Sequence, residues 1–332
     1  MKRIVLLWPW FSTLADNYAR ILNDQGHQTF VFTTNKNWNF DRLTTKGLVF
    51  DQPTWRNLAG DSLTILRILC QFKPDLIICE ESTDPRFILP NLFTECQFWK
   101  TRHDPEPHDH NHVLSISQKI RTNMNTMRAT KVLAFSKSSF DIMRADKLWR
   151  LLPEIPLNEI SELPPKNVHR RNFVTFGRIE PYKNIEWLVN FWNENCNFFQ
   201  EEKLYIYGKG RVTYLGKNII HVNERYNRNV LMNQLRNFRA SIFPYKTASQ
   251  SGVLQISQAA GLASIISPLG GLMEFQSSEK NVMTDINDEQ SLYRLVSNFM
   301  NQEYANSQGG EAYKRLLKSI EDTKNDIRLS LM

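Results

Sequence analysis

The chain has 332 residues, of which 41% are apolar and 23% charged, with a net charge of +7. These proportions fit an ordinary globular protein, and at about 100–200 residues per domain the length points to two domains rather than one core. No run reaches the ~18–20 uncharged apolar residues of a membrane span. The start, Met1-Lys2-Arg3-Ile4-Val5-Leu6-Leu7-Trp8, opens like a secretory leader, but Pro9 and polar Asp16-Asn17 follow too soon and no small-residue cleavage site appears.

The first half alternates short apolar runs with amphipathic stretches. Ile4–Trp8 reads as a strand, Leu14–Asp24 as a helix with Gly26 just past its end as a left-handed cap, and Thr29–Thr33 as a second strand. Leu76–Cys79 after Pro74-Asp75, and Lys131–Phe135, are buried-strand candidates. Ser136 or Ser138 then caps a helix beginning near Phe140. Residues 1–152 are taken as the first domain. Residues 153–171 hold Pro153, Pro156, Pro164 and Pro165 among polar residues and read as a linker.

Strand–helix alternation then resumes over 172–310. Strands are expected at Asn172–Phe176, Leu204–Tyr207, Ile219–Val222, Ala240–Phe243 and Ser264–Ile266, with helices near Asn184–Asn195, Asn229–Phe238 and Gly252–Ala260. Strands separated by helices imply parallel sheets, hence an α/β class with two Rossmann-like domains. The last segment, 311–332, carries a charged amphipathic helix over Glu311–Leu331 that can pack back on the first domain.

Four cysteines, Cys70, Cys79, Cys96 and Cys196, stand far apart with no CxxC pair. Cys70 and Cys79 lie in apolar runs, where a thiol behaves as a small hydrophobe, so a reducing, cytoplasmic setting is expected. Lys119, Arg121, Arg128, Lys131, Lys137, Arg144, Lys147 and Arg150 face only Asp141 and Asp146 over residues 119–150. This stretch is either a solvated face or a surface that meets anionic lipid or a phosphate-bearing acceptor. No recognised nucleic-acid motif accompanies the charge.

Parallel α/β sheets bind ligands beyond the carboxyl ends of their strands, so the strand-to-helix turns of the second half carry the chemistry. The first, Phe176-Gly177-Arg178-Ile179-Glu180-Pro181-Tyr182-Lys183-Asn184, places two cations five residues apart. They either neutralise a diphosphate leaving group or form surface ion pairs with Glu180 or Glu186. The second, Tyr207-Gly208-Lys209-Gly210, lets backbone approach a ligand and lacks the Lys-Ser/Thr of a Walker loop. The third, Phe243-Pro244-Tyr245-Lys246-Thr247-Ala248-Ser249-Gln250-Ser251-Gly252-Val253, runs hydroxyls, an amide and a glycine into a helix start. There free N–H groups and the helix dipole favour phosphate, alongside ordinary capping by Ser249 or Ser251.

These three turns, followed by Ala259-Ala260-Gly261 and Gly270-Gly271-Leu272-Met273-Glu274, resemble in order and spacing the nucleotide-binding domain of family 4 glycosyltransferases, retaining enzymes of the GT-B fold. The likeness covers about residues 172–276. It implies two Rossmann-like domains facing across a cleft and a nucleotide-diphosphate sugar of UDP or GDP type as donor substrate. The positions of Arg178 and Lys183 hold the diphosphate in that family. Gly177, Gly208, Lys209, Gly210, Gln250, Ser251, Gly252 and Val253 are expected to complete the donor site. The family's Glu-x7-Glu motif is absent: Ala248 and Ile256 stand at those positions, as in a bacterial polysaccharide-type sub-branch with a Ser-Gly turn there.

In the first half, Arg102-His103-Asp104-Pro105-Glu106-Pro107-His108-Asp109-His110-Asn111-His112 holds four of the seven histidines. Its two prolines make an extended loop and its spacing matches no zinc signature, so no metal site is expected; from the residues alone it is either a plain surface loop or part of the site. It resembles the acceptor-side loop of the same sub-branch, which implies that His103 is catalytic, oriented by Asp104, with His108 also on the acceptor side. Trp8 and Trp10, where the family often has glycines, would form an apolar platform for a sugar ring or lipid-linked acceptor. The reading is therefore a metal-independent, retaining hexosyltransferase with no cofactor, acting on a saccharide or lipid-linked acceptor in exopolysaccharide or glycoconjugate synthesis. It would work in the cytoplasm or at the inner face of the cell membrane, touching anionic lipid but no nucleic acid. The alternatives are a non-catalytic nucleotide-sugar-binding partner of another transferase, or a GT-B-fold sugar-nucleotide epimerase.

Overall fold

The computed structural model describes residues 1–35, 42–82, 84–88, 94–103, 115–160, 169–199 and 201–332. Contacts divide the chain into two units. The first comprises Met1–Glu159 with Asp322–Met332, and the second Ile160–Glu321.

The first unit is built on seven parallel strands. In chain order its elements are β1 (Arg3–Trp8), α1 (Ser12–Asp24), β2 (Gln28–Thr34), β3 (Gly47–Phe50), α2 (Leu58–Phe72), β4 (Leu76–Cys79), α3 (Pro85–Ile88), β5 (Gln97–Arg102), α4 (Ile116–Arg128), β6 (Lys131–Ala134), α5 (Lys137–Met143) and β7 (Lys147–Leu148). The strand order is β3-β2-β1-β4-β5-β6-β7. β1 lies inside the sheet between β2 and β4, with Ile4 opposite both Thr29 and Leu76. Its run Ile4–Trp8 is fully buried because helices cover both faces of a parallel sheet, which removes the usual alternation of apolar and polar residues. Gly26 follows α1 at φ 82, the left-handed conformation a glycine adopts without a Cβ clash.

α1 buries polar residues as well. Asp16 accepts from the backbone N–H groups of Thr44 and Thr45, and Asn17 donates to the carbonyls of Pro153 and Ile155. The helix therefore anchors two loops that offer unpaired backbone groups.

The second unit has five parallel strands in the order β10-β9-β8-β11-β12. Its elements are β8 (Phe173–Phe176), α6 (Ile185–Glu194), β9 (Leu204–Tyr207), β10 (Ile219–Val222), α7 (Arg228–Leu235), β11 (Ala240–Phe243), α8 (Gly252–Ala259), β12 (Ser264–Ile266), α9 (Gly270–Met273), α10 (Glu289–Phe299) and α11 (Gln302–Leu331). Trp192, Phe199, Leu204, Ile242, Leu292 and Phe299 belong to its main core. Buried Arg170 donates to the carbonyls of Phe238 and Gly261 and to Asn306 Oδ1, tying the strand entry to α11.

Several expectations need correction. The last helix begins at Gln302, not Glu311, and passes through Gly309-Gly310. A Cβ on Gly309 would strike the Gly261 carbonyl, so this glycine marks a close approach rather than a break. The helix after β6 starts at Lys137 with Ser136 as its cap, accepting from Ser139 N–H at 3.0 Å. The helix expected to reach Phe238 stops at Leu235. Cys70 is exposed on α2, because the buried residues of that helix are Ile65 and Leu69. Nor is the basic stretch a uniform solvated face. Arg128 donates to the Thr94 and Cys96 carbonyls, Lys131 and Lys147 lie over the Trp99 ring, and Arg150 pairs with Asp326 at 2.6 Å. Among the described residues no helix is long and apolar enough to cross a membrane.

Candidate functional site

In the second unit the three turns lie at the carboxyl ends of adjacent strands β9, β8 and β11. Gly177 leaves β8 at φ 111, its N–H donating to the Tyr207 carbonyl at 2.9 Å. A Cβ at Gly177 would occupy the place of the Lys183 ammonium and touch Val253 Cγ1 at 3.4 Å. A Cβ on Gly208 would likewise run into the Gly177 carbonyl. Their missing side chains let the first turn close on both the second turn and the start of α8. The 3-10 turn Pro181–Lys183 and left-handed Asn184 then carry Lys183 back over Gly177.

Lys183 and Arg178 end in different settings. Lys183 is buried, its Nζ 5.5 Å from the centroid of the Tyr245 ring. The Arg178 side chain is 84% exposed and pairs with Glu180 at 3.4 Å. Glu186, the other carboxylate considered for Arg178, accepts from Thr213 instead. Gly210 N–H donates to Asn223 Oδ1, and Lys209 meets the first turn through its carbonyl, which accepts from Ile179 N–H at 3.2 Å.

The third turn enters α8 through Ser251, which holds the N-cap position in an extended conformation without a side-chain capping bond. Its neighbour Gly252 is the first helical residue, and Gln250 and Val253 flank the same corner. Gly271 at the start of α9 sits against the Ser249 carbonyl, where a Cβ would clash. The structure thus gathers Gly177, Lys183, Gly208 and Val253 around one helix start. A buried ammonium, positive-φ backbone and the positive end of a helix dipole make that corner suited to an anion.

In the first unit, β5 ends at Arg102 and His103 follows. Its ring stacks on Phe135 with centroids 4.7 Å apart and lies 4.8 Å from Phe11. The Nε2 atom is 3.0 Å from Oε1 of Glu80, a fully buried carboxylate just past β4. Glu80 Oε2 accepts from Trp10 N–H at 2.6 Å, and the carboxylate also accepts from Phe11 N–H. Burial pushes the Glu80 carboxyl above the usual carboxylate range, while His103 and the two N–H groups act in the opposite direction.

Glu80 is a carboxylate beside His103 that the sequence reading did not single out; Asp104, expected to orient the ring, and His108 lie outside the described residues. The expected platform also changes. Trp8 is fully buried at the end of an interior strand, where its ring packs against Tyr18 and Phe135, so of the two it is Trp10, 40% exposed, that is open to a ligand. Glu80 was missed, although a carboxylate directly after a four-residue apolar strand is itself a sign of a ligand-facing strand end. Among the described residues no group of three His, Cys, Asp or Glu side chains gathers as metal ligands do; the segment His108–His112 lies outside them.

Residues 170–302 match the family model described as Glycosyl transferases group 1, so the second unit carries a domain of that kind. A search of curated proteins by sequence returned no match. Among solved structures, sucrose-phosphate synthase from Thermosynechococcus elongatus is similar at a TM-score of 0.67 and 13% identity, covering 100% of this chain and 98% of its own. HepE from Anabaena, in complex with UDP-glucose, gives a TM-score of 0.70 at 12% identity over 100% of this chain and 99% of its own. A TarM variant from S. aureus, in complex with fondaparinux, α-GlcNAc-glycerol and UDP, gives 0.70 at 11% over 98% and 99%. The fold is that of the GT-B glycosyltransferases, with two parallel-sheet units.

Proposed function

We propose that this protein transfers a hexose-type sugar from a UDP or GDP sugar to a saccharide acceptor, retaining anomeric configuration and using no metal or other cofactor. The observation that carries the reading is the buried Lys183 ammonium set into the space left by Gly177, beside the first turn of α8. Such a corner stabilises the charge that builds on a departing diphosphate, in a setting where charge–charge interactions exceed their strength in water. Arg178, at present turned to Glu180, is the mobile second cation that swings to the donor. Gly208, Lys209 and Gly210 line the same side, and Gln250, Ser251, Gly252 and Val253 supply backbone N–H groups in place of the Glu-x7-Glu carboxylates. The leaving diphosphate then takes the acceptor proton on the face from which it departs. His103 aligns the sugar, with Trp10, Asp104 and His108 on the acceptor side. The acceptor class that suits a basic first unit is a lipid-linked saccharide of polysaccharide or glycoconjugate synthesis, met in the cytoplasm at an anionic membrane face.

Calorimetric titration of UDP and GDP into the wild type and an Arg178→Ala/Lys183→Ala variant tests the donor site. UDP comes first, since HepE and TarM are in complex with UDP or its sugar. Tight binding lost in the variant is the expected result; binding of neither nucleotide by the wild type overturns the reading. Activity lost in chelator and restored by manganese would overturn metal independence, and NMR of the product anomer decides retention. The replacement of both family carboxylates by Ala248 and Ile256 favours one second reading, a nucleotide-sugar-binding partner without turnover. Binding without release of nucleoside diphosphate across a panel of donors would establish it.

A further inference from the structure

We propose that Glu80 is the positioning residue for His103, holding the imidazole in one ring orientation and joining it to the turn after β1. The inference rests on the transferase reading above and adds a residue from a third segment of the chain. Three donors from two segments converge on this carboxylate: Trp10 N–H, Phe11 N–H and the His103 ring. Its side chain is fully buried, so solvent cannot substitute for any of them.

Stacking on Phe135 and contact with Phe11 fix the plane of the His103 ring but do not distinguish its two flipped orientations. A 180° flip about the Cβ–Cγ bond would put a ring carbon in the place of each ring nitrogen at almost no steric cost. The pairing with Glu80 removes this freedom. An ionised carboxylate only accepts, so the nitrogen facing it carries a proton and the other presents the opposite character to whatever lies beyond. The same carboxylate fixes the backbone of Trp10, so the ring and the residue expected against the acceptor move as one body.

The decisive substitution is Glu80→Gln. It keeps the volume and one accepting oxygen for the Trp10 and Phe11 N–H groups, but turns an N–H₂ group toward His103 Nε2. That nitrogen must then accept, so the ring changes tautomer or flips. Misplacing an aligning group by such a change costs about 10²-fold in rate. We expect kcat to fall about 10²-fold while UDP affinity, set in the other unit, changes less than about twofold. Glu80→Gln/His103→Ala should be no slower than His103→Ala within about threefold, because residues that act as a unit are not additive. The ¹⁵N imidazole shifts of His103, which need no turnover, should move from the Nε2–H to the Nδ1–H pattern in Glu80→Gln.

Unchanged ¹⁵N shifts, kcat retained within about threefold, or multiplicative losses in the double variant each overturn the role of Glu80 and leave the transferase reading standing. A wild type that binds neither UDP nor GDP overturns that reading instead, so the two failures are distinguishable. Glu80→Ala, which removes the acceptor of the Trp10 N–H and leaves a cavity, serves only as the destabilised control.

Discussion

The carboxyl ends of the two sheets are furnished differently. In the second unit the corner at Gly177, Gly208 and Lys183 is shaped by absent side chains: backbone closes on backbone, and one ammonium fills the gap. In the first unit the corresponding region is crowded with bulk: Trp8, Phe11, Phe135 and His103 pack together beside the buried Glu80 carboxylate. Glycine turns bring N–H groups and dipole ends within reach of a phosphate, which every nucleotide donor shares. Aromatic and carboxylate packing instead fixes one ring in one orientation, a property suited to aligning a particular sugar. The contrast assigns general anion binding to one unit and geometric selection to the other, and it can be broken by substitutions in each.

The largest expected effect lies in the aromatic corner. Trp8→Ala removes a fully buried ring that touches Tyr18 and Phe135 and should cost about 3–5 kcal/mol of stability in chemical denaturation. Trp10→Ala keeps the N–H that meets Glu80 and should change stability by less than about 1 kcal/mol, while raising the acceptor KM. Equal stability losses would refute the division between a core and an acceptor-facing tryptophan.

Next is the ammonium. Lys183→Ala should lower kcat about 10²–10³-fold, the loss typical of removing one group that stabilises transition-state charge. A fall of less than about tenfold would move the anion site away from this corner. Gly177→Ala follows. Its φ of 111 and the clash of a new Cβ with the Lys183 ammonium should together cost about 1–3 kcal/mol and weaken UDP binding. In a Lys183→Ala background the steric part disappears, so the stability loss should shrink. An undiminished loss would mean that backbone strain alone makes Gly177 necessary.

The same contrast explains what could be read from the sequence. β8 to β12 and the three turns of the second unit were legible because each strand is a short apolar run that ends abruptly at a glycine or a polar or turn-forming residue. The anion corner is local chemistry repeated on adjacent strands. β3, α2, α4 and α10 were not anticipated. α2 fully buries Ile65 and Leu69, with Ile68 and Phe72 packed beside them, so its apolar stripe is confined to its second half. The Glu80–His103 pair was also hidden, since its members stand 23 residues apart on neighbouring strands and meet only through sheet order. Asp16 and Asn17, polar residues in the middle of α1, are buried because they satisfy loop backbone groups that the sequence pattern does not display.

The smallest expected effect concerns Arg178, and it tests whether exposure separates the two cations of one turn. An exposed pair such as Arg178–Glu180 contributes about 0–1 kcal/mol, so Arg178→Ala should leave stability nearly unchanged. Its influence on UDP binding should be a loss of about three- to tenfold at low salt that fades as ionic strength rises, because a solvent-facing charge is screened. Glu180→Ala removes the competing carboxylate and should tighten UDP binding slightly in the same salt series. If Arg178→Ala instead matched Lys183→Ala in size and in salt independence, the guanidinium would have to be buried against the donor. The exposed pairing with Glu180 would then describe only the ligand-free turn.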